Sequence, residues 1–272
     1  MIIFELVKHK WKETLRSSIW EKSLALKIIY FFLSIYFLAN FLLIGVFLDR
    51  LLMEIFPDEN PVIKLNEFLF YFLIFDLFIR FLAQSLPTLS IQPYLHLPVK
   101  KRTIMHYLSV KTLLHPLNYL YFVIFIPFSL RAIAQIYSLS AAIVWLFALL
   151  FLFWFNSSLI AYVKRQFSSK PSIALILLGL LAILFGLDYY NLVPFSFYSG
   201  KIFTLVITNK LLLIVPFIIS SVMYLINYSF LKKNAYIEVI AKNIPSKVGD
   251  TKEFNFINYF AFEETGIAWI FN

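Results

Sequence analysis

Charges set into an apolar run are where this sequence could do chemistry, and the stretch YFLIFDLFIRFLAQ holds two of them, Asp76 and Arg80. An ionisable group at membrane depth is costly and marks a functional position by default. Four residues apart, the two share a helix face and suit an intrahelical ion pair. Two readings follow. Either the pair faces an interior path as a substrate or gating contact, or Arg80 snorkels to the headgroups while Asp76 neutralises it locally.

The remaining candidates are sparse. His9, His96, His106 and His115 never stand four apart, and there is no cysteine, so helical two-histidine and thiolate metal sites have no ligand set. Glu263 and Glu264 are paired like the glutamates of intramembrane metalloproteases, but they fall outside any apolar run and lack partner histidines. Ser157 and Ser158 follow Asn156 without a histidine and an aspartate placed to activate them, which leaves helix packing as their role. Six glycines, never clustered, offer no phosphate loop, so the chain does not hydrolyse ATP by itself. No cofactor is implied, and no catalytic residue is assigned.

The elements that must position these residues are membrane helices. Of 272 residues, 61% are apolar and 14% charged, with 32 Phe and a mean hydropathy of +0.81. Runs of about 20 apolar residues, enough to cross roughly 30 Å of hydrocarbon as helix, recur along the chain. They are apolar all round, which excludes the alternating strands of a barrel. Six spans are predicted: Leu26 to Leu48, Leu65 to Ala83, Leu113 to Leu130, Ala141 to Val163, Ile173 to Asp188, and Leu211 to Leu231. The fold class is all-α, a six-span domain over residues 23–233.

With the N-terminus inside, most of the 24 Lys and Arg fall in the cytoplasmic segments, as the positive-inside rule requires of a chain with both termini cytoplasmic. Topology and anionic headgroups therefore account for the net charge of +9, and nucleic acid is not a partner. Residues 1–22 form an amphipathic interfacial helix, with Phe4, Val7, Trp11, Leu15 and Ile19 at three- and four-residue steps and Lys8, Lys12 and Arg16 on other faces. Leu192 to Lys210 is too polar for a span and reads as a short helix or re-entrant hairpin on the outer side. Residues 234–272 form a cytoplasmic tail. There Phe262, Glu263 and Trp269 repeat the spacing of Phe4, Glu5 and Trp11, as if a second half were beginning. Pro127 with Ser129, and Pro216 with Ser220 and Ser221, mark kinks that could border a translocation route.

One loop is far longer than a connection needs. Between the second and third spans, LPTLSIQPYLHLPVKKRTIMHYLSVK sets an extended strip, punctuated by Pro93 and Pro98, before a helix that starts near Lys100 and runs into the third span. Leu95, Leu97, Ile104 and Leu108 give it an apolar side, and Lys100, Lys101 and Arg102 a basic shoulder. A ledge of that kind, residues 84–112, suits docking of a soluble partner; the alternative is a basic loop lying on lipid.

The stretch PYLHLPVKKRTIMHYLSVKTLL resembles the segment between the second and third spans of type-2 ABC exporter permeases, where a Leu-Pro pair precedes a basic cluster and a helix. With FDLFIRF in the second span and the acidic outer loop, it is similar to an uncharacterised bacterial multi-pass membrane family of that superfamily. The likeness covers most of residues 1–240 in span order. It implies a half-transporter of a bacterial cytoplasmic membrane, not itself an enzyme, whose ATPase-docking residues are Leu97, Pro98, Lys100, Lys101 and Arg102. A separate ABC ATPase subunit and a second six-span half, in the same full-length chain or in a dimer, would be its partners. Two other readings remain: a membrane-embedded enzyme acting on lipid through Asp76 or an inner-loop histidine, and a scaffold that holds a soluble partner at the membrane.

Overall fold

The computed structural model describes residues 24–84, 101–167 and 172–243. Every element among them is helical. Helix α1 (Leu24–Ile55) is followed by α2 (Pro61–Ala83), α3 (Lys101–Leu113), α4 (Leu117–Leu120), α5 (Phe122–Phe128), a π-helical turn (Ser129–Ile133) and α6 (Ala134–Ile136). After these come α7 (Leu139–Gln166), α8 (Ser172–Tyr189), α9 (Phe195–Thr208), a 3-10 turn (Lys210–Leu213) and α10 (Ile214–Asn243). Leu38 to Ala235 form one compact unit, and the first turns of α1 and the end of α10 belong to another.

Local chemistry fixes the helix starts. Asn60 accepts the Val62 N–H at 2.9 Å with Pro61 in the first position of α2. Ser138 accepts the Ala141 N–H at the start of α7 at 3.2 Å. Both cover donors that a helix N-terminus leaves without an internal partner.

Four helical stretches are long and apolar enough to cross a membrane, Leu26–Ile55, Leu139–Gln166, Ser172–Tyr189 and Lys210–Lys233. A fifth crossing results if Met105–Leu120 and Phe122–Ile136, bent by 57° at Tyr121, count as one. The molecule is thus a multi-pass helical membrane protein with four to five apolar spans by this measure. Helix α2 is 23 residues long but carries Lys64, Glu67, Asp76 and Arg80 and falls outside that set. The third expected span, Leu113 to Leu130, requires correction. It is no single helix: the chain leaves helix at Leu114–Pro116, turns again at Tyr121 and widens into the π turn just after Pro127. Pro116 and Pro127 each remove a backbone donor, and such breaks survive in a membrane where neighbours satisfy the freed groups.

The core lies between α2, α5, α7 and α9, around Val62, Leu69, Phe125, Phe128, Trp145, Leu149 and Phe153. Helix α9 lies closely against α2, where a Cβ on Gly200 would stand 2.8 Å from Glu67 Cγ. At Gly45 of α1 a Cβ would overlap the Ile124 carbonyl, so that crossing also depends on a missing side chain. By contrast α8 has no buried residue, and its Leu175, Ile176 and Ile183 are exposed. An apolar surface of this sort is what a lipid-facing helix presents.

Contacts order the helices end to end. Asn66 and Asp76 of α2, and Gln84 just past its end, meet Trp145, Asn156 and Lys164 of α7 in turn. At the Lys164 end Arg165 meets Asn227 of α10, and His106 of α3 stacks on Tyr228, so Arg102, Lys164, Arg165, Lys232 and Lys233 gather toward one end of the unit. The other mixes charges, with Asp49 beside Arg131 at 3.5 Å and Lys64 between Glu59 and Glu67 at 2.8 and 3.0 Å.

Candidate functional site

At the basic end a buried ionic layer forms around the pair singled out by its spacing. Arg80 Nε donates to Asp76 Oδ2 at 2.6 Å, and both side chains are 0% exposed. Arg80 is thus enclosed in the bundle and does not reach out to headgroups. The Phe153 ring lies 5.9 Å from its guanidinium carbon, a contact that strengthens when desolvated.

Each partner is itself held. From α7, Asn156 Nδ2 donates to Asp76 Oδ2 at 2.8 Å and to the Leu73 carbonyl at 2.9 Å. From α4, Asn118 Oδ1 accepts Arg80 Nη1 at 2.7 Å, and Asn118 Nδ2 donates to the Leu113 carbonyl at 2.6 Å. Ser157 Oγ donates to the Thr112 carbonyl at 2.8 Å and accepts Gln84 Nε2 at 3.2 Å. Lys164 Nζ donates to the Gln84 carbonyl at 2.6 Å, which places a cation on the C-terminal carbonyls of α2. The carbonyls freed where α3 ends are therefore covered by buried amide and hydroxyl groups, the condition under which a helix can break inside a membrane protein. Asp76 Oδ1 and Arg80 Nη2 have no hydrogen-bond partner, and the Tyr121 phenol lies close enough to Asp76 to interact with it. A buried group left so is uncommon in a native structure.

A second polar layer sits toward the other end and holds no charge. Trp145 Nε1 donates to Asn66 Oδ1 at 3.0 Å, and Asn66 Nδ2 to Thr204 Oγ1 at 3.3 Å. Ser199 of α9 accepts the Phe70 N–H at 3.2 Å. Between the layers Phe72 meets Tyr121 and Phe125 edge-on, with centroids 5.0 and 5.3 Å apart, Tyr121 is tilted against Phe153 at 5.2 Å, and Phe125 stacks on Phe153 at 6.2 Å.

Of the expected docking residues, Leu97, Pro98 and Lys100 lie outside the described residues. Lys101 opens α3 and Arg102 is exposed in its first turn. Phe4, Val7, Trp11 and Leu15 also lie outside, as do Glu263 and Glu264. His106 stacks on Tyr228 of α10 at 4.3 Å and contacts the Tyr224 hydroxyl at 3.2 Å, while His115 sits in the break after α3. Among the described residues no group of three or more His, Cys, Asp or Glu side chains could hold a metal ion. Sequence reasoning missed Asn118, Gln84 and Lys164 as members of the layer. Their one signal is polarity beside apolar runs, and nothing local says what they face.

Fold and site define a helical multi-pass membrane protein with a charged pair enclosed at the junction of a broken span. The chain belongs to DUF5687, a family of unknown function, whose model matches residues 10–262. Comparison with curated proteins and with solved structures finds no match.

Proposed function

We propose that this chain is the membrane-spanning permease subunit of an ABC-type exporter in a bacterial cytoplasmic membrane, driven by a separate ATPase subunit. The basic end faces the cytoplasm in this reading, since bases favour that side. The observation that carries it is the course of α3. Its first turn bears Lys101 and Arg102, and its last carbonyls, Thr112 and Leu113, are held by Ser157 and Asn118 of the buried layer. Thirteen helical residues make a rod of about 20 Å. A push at its basic start is delivered to the break, to Asn118 and so to Arg80. Coupling requires a second discrete arrangement of such an element, and an exchange of hydrogen-bond partners at the break would supply it.

The bilayer and a second six-span half, in a longer chain or a second copy, complete the assembly, and the chain itself performs no catalysis. A lipid-directed enzyme using Asp76 is the weaker reading, because Asp76 Oδ2 is already occupied by Arg80 and Asn156. A scaffold would bind its partner without regard to nucleotide.

Co-purification decides. The tagged chain, extracted from its host in mild detergent, should bring an ATPase with it, and charge reversal at Lys100, Lys101 and Arg102 should release that ATPase. Absence of an ATPase, or its retention after the reversal, overturns the reading.

A further inference from the structure

At the mixed-charge end α2 and α9 border a cavity of about 390 Å³, and two opposite charges line it without meeting, Glu67 of α2 and Lys201 of α9. Gly200 makes the room. A Cβ there would stand 2.8 Å from Glu67 Cγ, so the carboxylate can lie across the α9 backbone only where that side chain is missing. Glu67 Oε2 accepts Lys64 Nζ at 3.0 Å, while Oε1 stays on the Gly200 side, 3.7 Å from the same Cβ position. Among the described residues Oε1 accepts no hydrogen bond, and Lys201 has neither a hydrogen-bond nor an ion-pair partner. Thr204 Oγ1, also in the lining, accepts Asn66 Nδ2 at 3.3 Å and keeps its own proton for another acceptor.

The cavity opens outward, since Phe197, Lys201 and Thr208 of its lining are exposed and Glu67 is half-buried. Its lining is ordered by depth. Helix α2 runs inward from Pro61, and Phe195 stacks on Phe70 at 6.0 Å whereas Thr204 meets Asn66, so α9 runs the other way, outward. Phe197, 57% exposed, therefore lies at the deep end, with Lys201 and Thr204 above it and Thr208 nearest the rim. Apolar below and charged above is the order of groups in a phospholipid where hydrocarbon gives way to headgroups. The two charges decide which phospholipid. An anionic lipid would answer Lys201 and leave Glu67 facing a negative charge, and a quaternary ammonium has no N–H to give Oε1. A primary ammonium donates to a carboxylate in a charge-assisted hydrogen bond.

We propose that this cavity binds the zwitterionic headgroup of a phosphatidylethanolamine, with the ammonium donating to Glu67 Oε1 and the phosphate held by Lys201 and the Thr204 hydroxyl. An acyl chain runs past Phe197 toward the middle of the bilayer. The site lies at the opposite end of the unit from the charged layer, and it does not depend on the exporter reading.

The test uses the full chain in nanodiscs of phosphatidylethanolamine, phosphatidylcholine and phosphatidylglycerol in equal parts, stripped by detergent and read by native mass spectrometry. Wild-type protein should retain phosphatidylethanolamine over phosphatidylcholine by about tenfold, equivalent to about 1.4 kcal/mol. Glu67→Gln should bring the two lipids level. Lys201→Gln removes the charge that holds the phosphate common to both, so it should lower retention of both and leave their ratio standing. Loss of packing would not divide the two readouts in that way. Gly200→Ala, which pushes Glu67 aside, should act like E67Q. Lys210→Gln, at the same end but outside the lining, should change nothing. Equal retention of phosphatidylethanolamine and phosphatidylcholine by wild type overturns the proposal, as does a preference for phosphatidylglycerol. An unchanged ratio in E67Q, unchanged retention in K201Q or an equal loss in K210Q overturns it too. Displacement of the bound lipid by free phosphoethanolamine alone would transfer the site to a soluble zwitterion and overturn the lipid assignment.

Discussion

The two polar layers of the bundle solve the same problem in different ways. Around Asn66 the groups are neutral and one side chain satisfies two others, Trp145 and Thr204. Around Asp76 and Arg80 the groups are charged, every helix from α2 to α4 and α7 contributes, and two atoms are left without partners. Neutral hydrogen bonds are worth about 1 kcal/mol each and can be replaced by a well-packed apolar pair at small cost. A buried ion pair is weak evidence for stability, since an apolar pair of the same volume would often serve the fold as well. The Asn66 layer is therefore neutral packing, whereas the Asp76 layer buries charge beside a broken helix, where losing one partner is costly. The aromatic layer between them keeps the two from sharing partners.

The largest expected effect tests the charged layer. Arg80→Ala leaves Asp76 buried without its cation and should lower stability by about 3–5 kcal/mol, followed by denaturant unfolding in mild detergent. Removing both charges in D76A/R80A should cost clearly less than the sum of the single changes, because the second substitution removes the group that the first stranded. Additive losses would mean that the pair does not act as a unit, and the contrast between the layers would fail.

A middling effect is expected at the neutral layer. Asn66→Ala leaves the buried Trp145 N–H without an acceptor, at about 1–3 kcal/mol. Adding Trp145→Phe, which deletes the stranded donor, should return part of that loss. A cost for Asn66→Ala as large as that for Arg80→Ala would erase the distinction.

Much of the fold is legible in the sequence because a hydrocarbon solvent imposes one rule, that backbone groups bond within helices. The apolar runs from Leu26, Ala141 and Ile173 match α1, α7 and α8 to within a few residues at most of their ends, and Leu192 to Lys210 contains the short α9. Helix α1 continues past the expected Leu48 to Ile55, since Asp49 is met by Arg131 and does not end the helix. The pairing of Asp76 with Arg80 was legible too, being local. What they touch was not. Asn118 lies 38 residues from Arg80 and Asn156 80 residues from Asp76, and only the packed bundle brings them together. The broken third span had signals in Pro116 and Pro127. Its apolar composition hid them, because hydropathy measures what surrounds a helix and says nothing of its straightness.

The smallest expected effect lies at the rim, where neither layer reaches. Helix α8 has no buried residue, and it is tied to α2 by Tyr71, whose hydroxyl donates to Asp188 Oδ2 and whose ring meets Phe185 at 5.9 Å. The same carboxylate accepts the Ser196 N–H at 3.1 Å, at the start of α9, where the helix dipole favours an anion. Tyr71→Phe keeps the ring contact and removes one hydrogen bond, so it should cost about 0.5–1.5 kcal/mol. Because α8 shares little buried surface with the core, that loss should show as faster amide exchange around Asp188 and Ser196, with the global unfolding midpoint hardly moved. Asp188→Ala, which removes both bonds and the negative charge at the start of α9, should exceed it. If Tyr71→Phe instead lowered the midpoint as far as Asn66→Ala, the rim would be part of the neutral layer, and the division of the bundle into independent polar tiers would have to be redrawn.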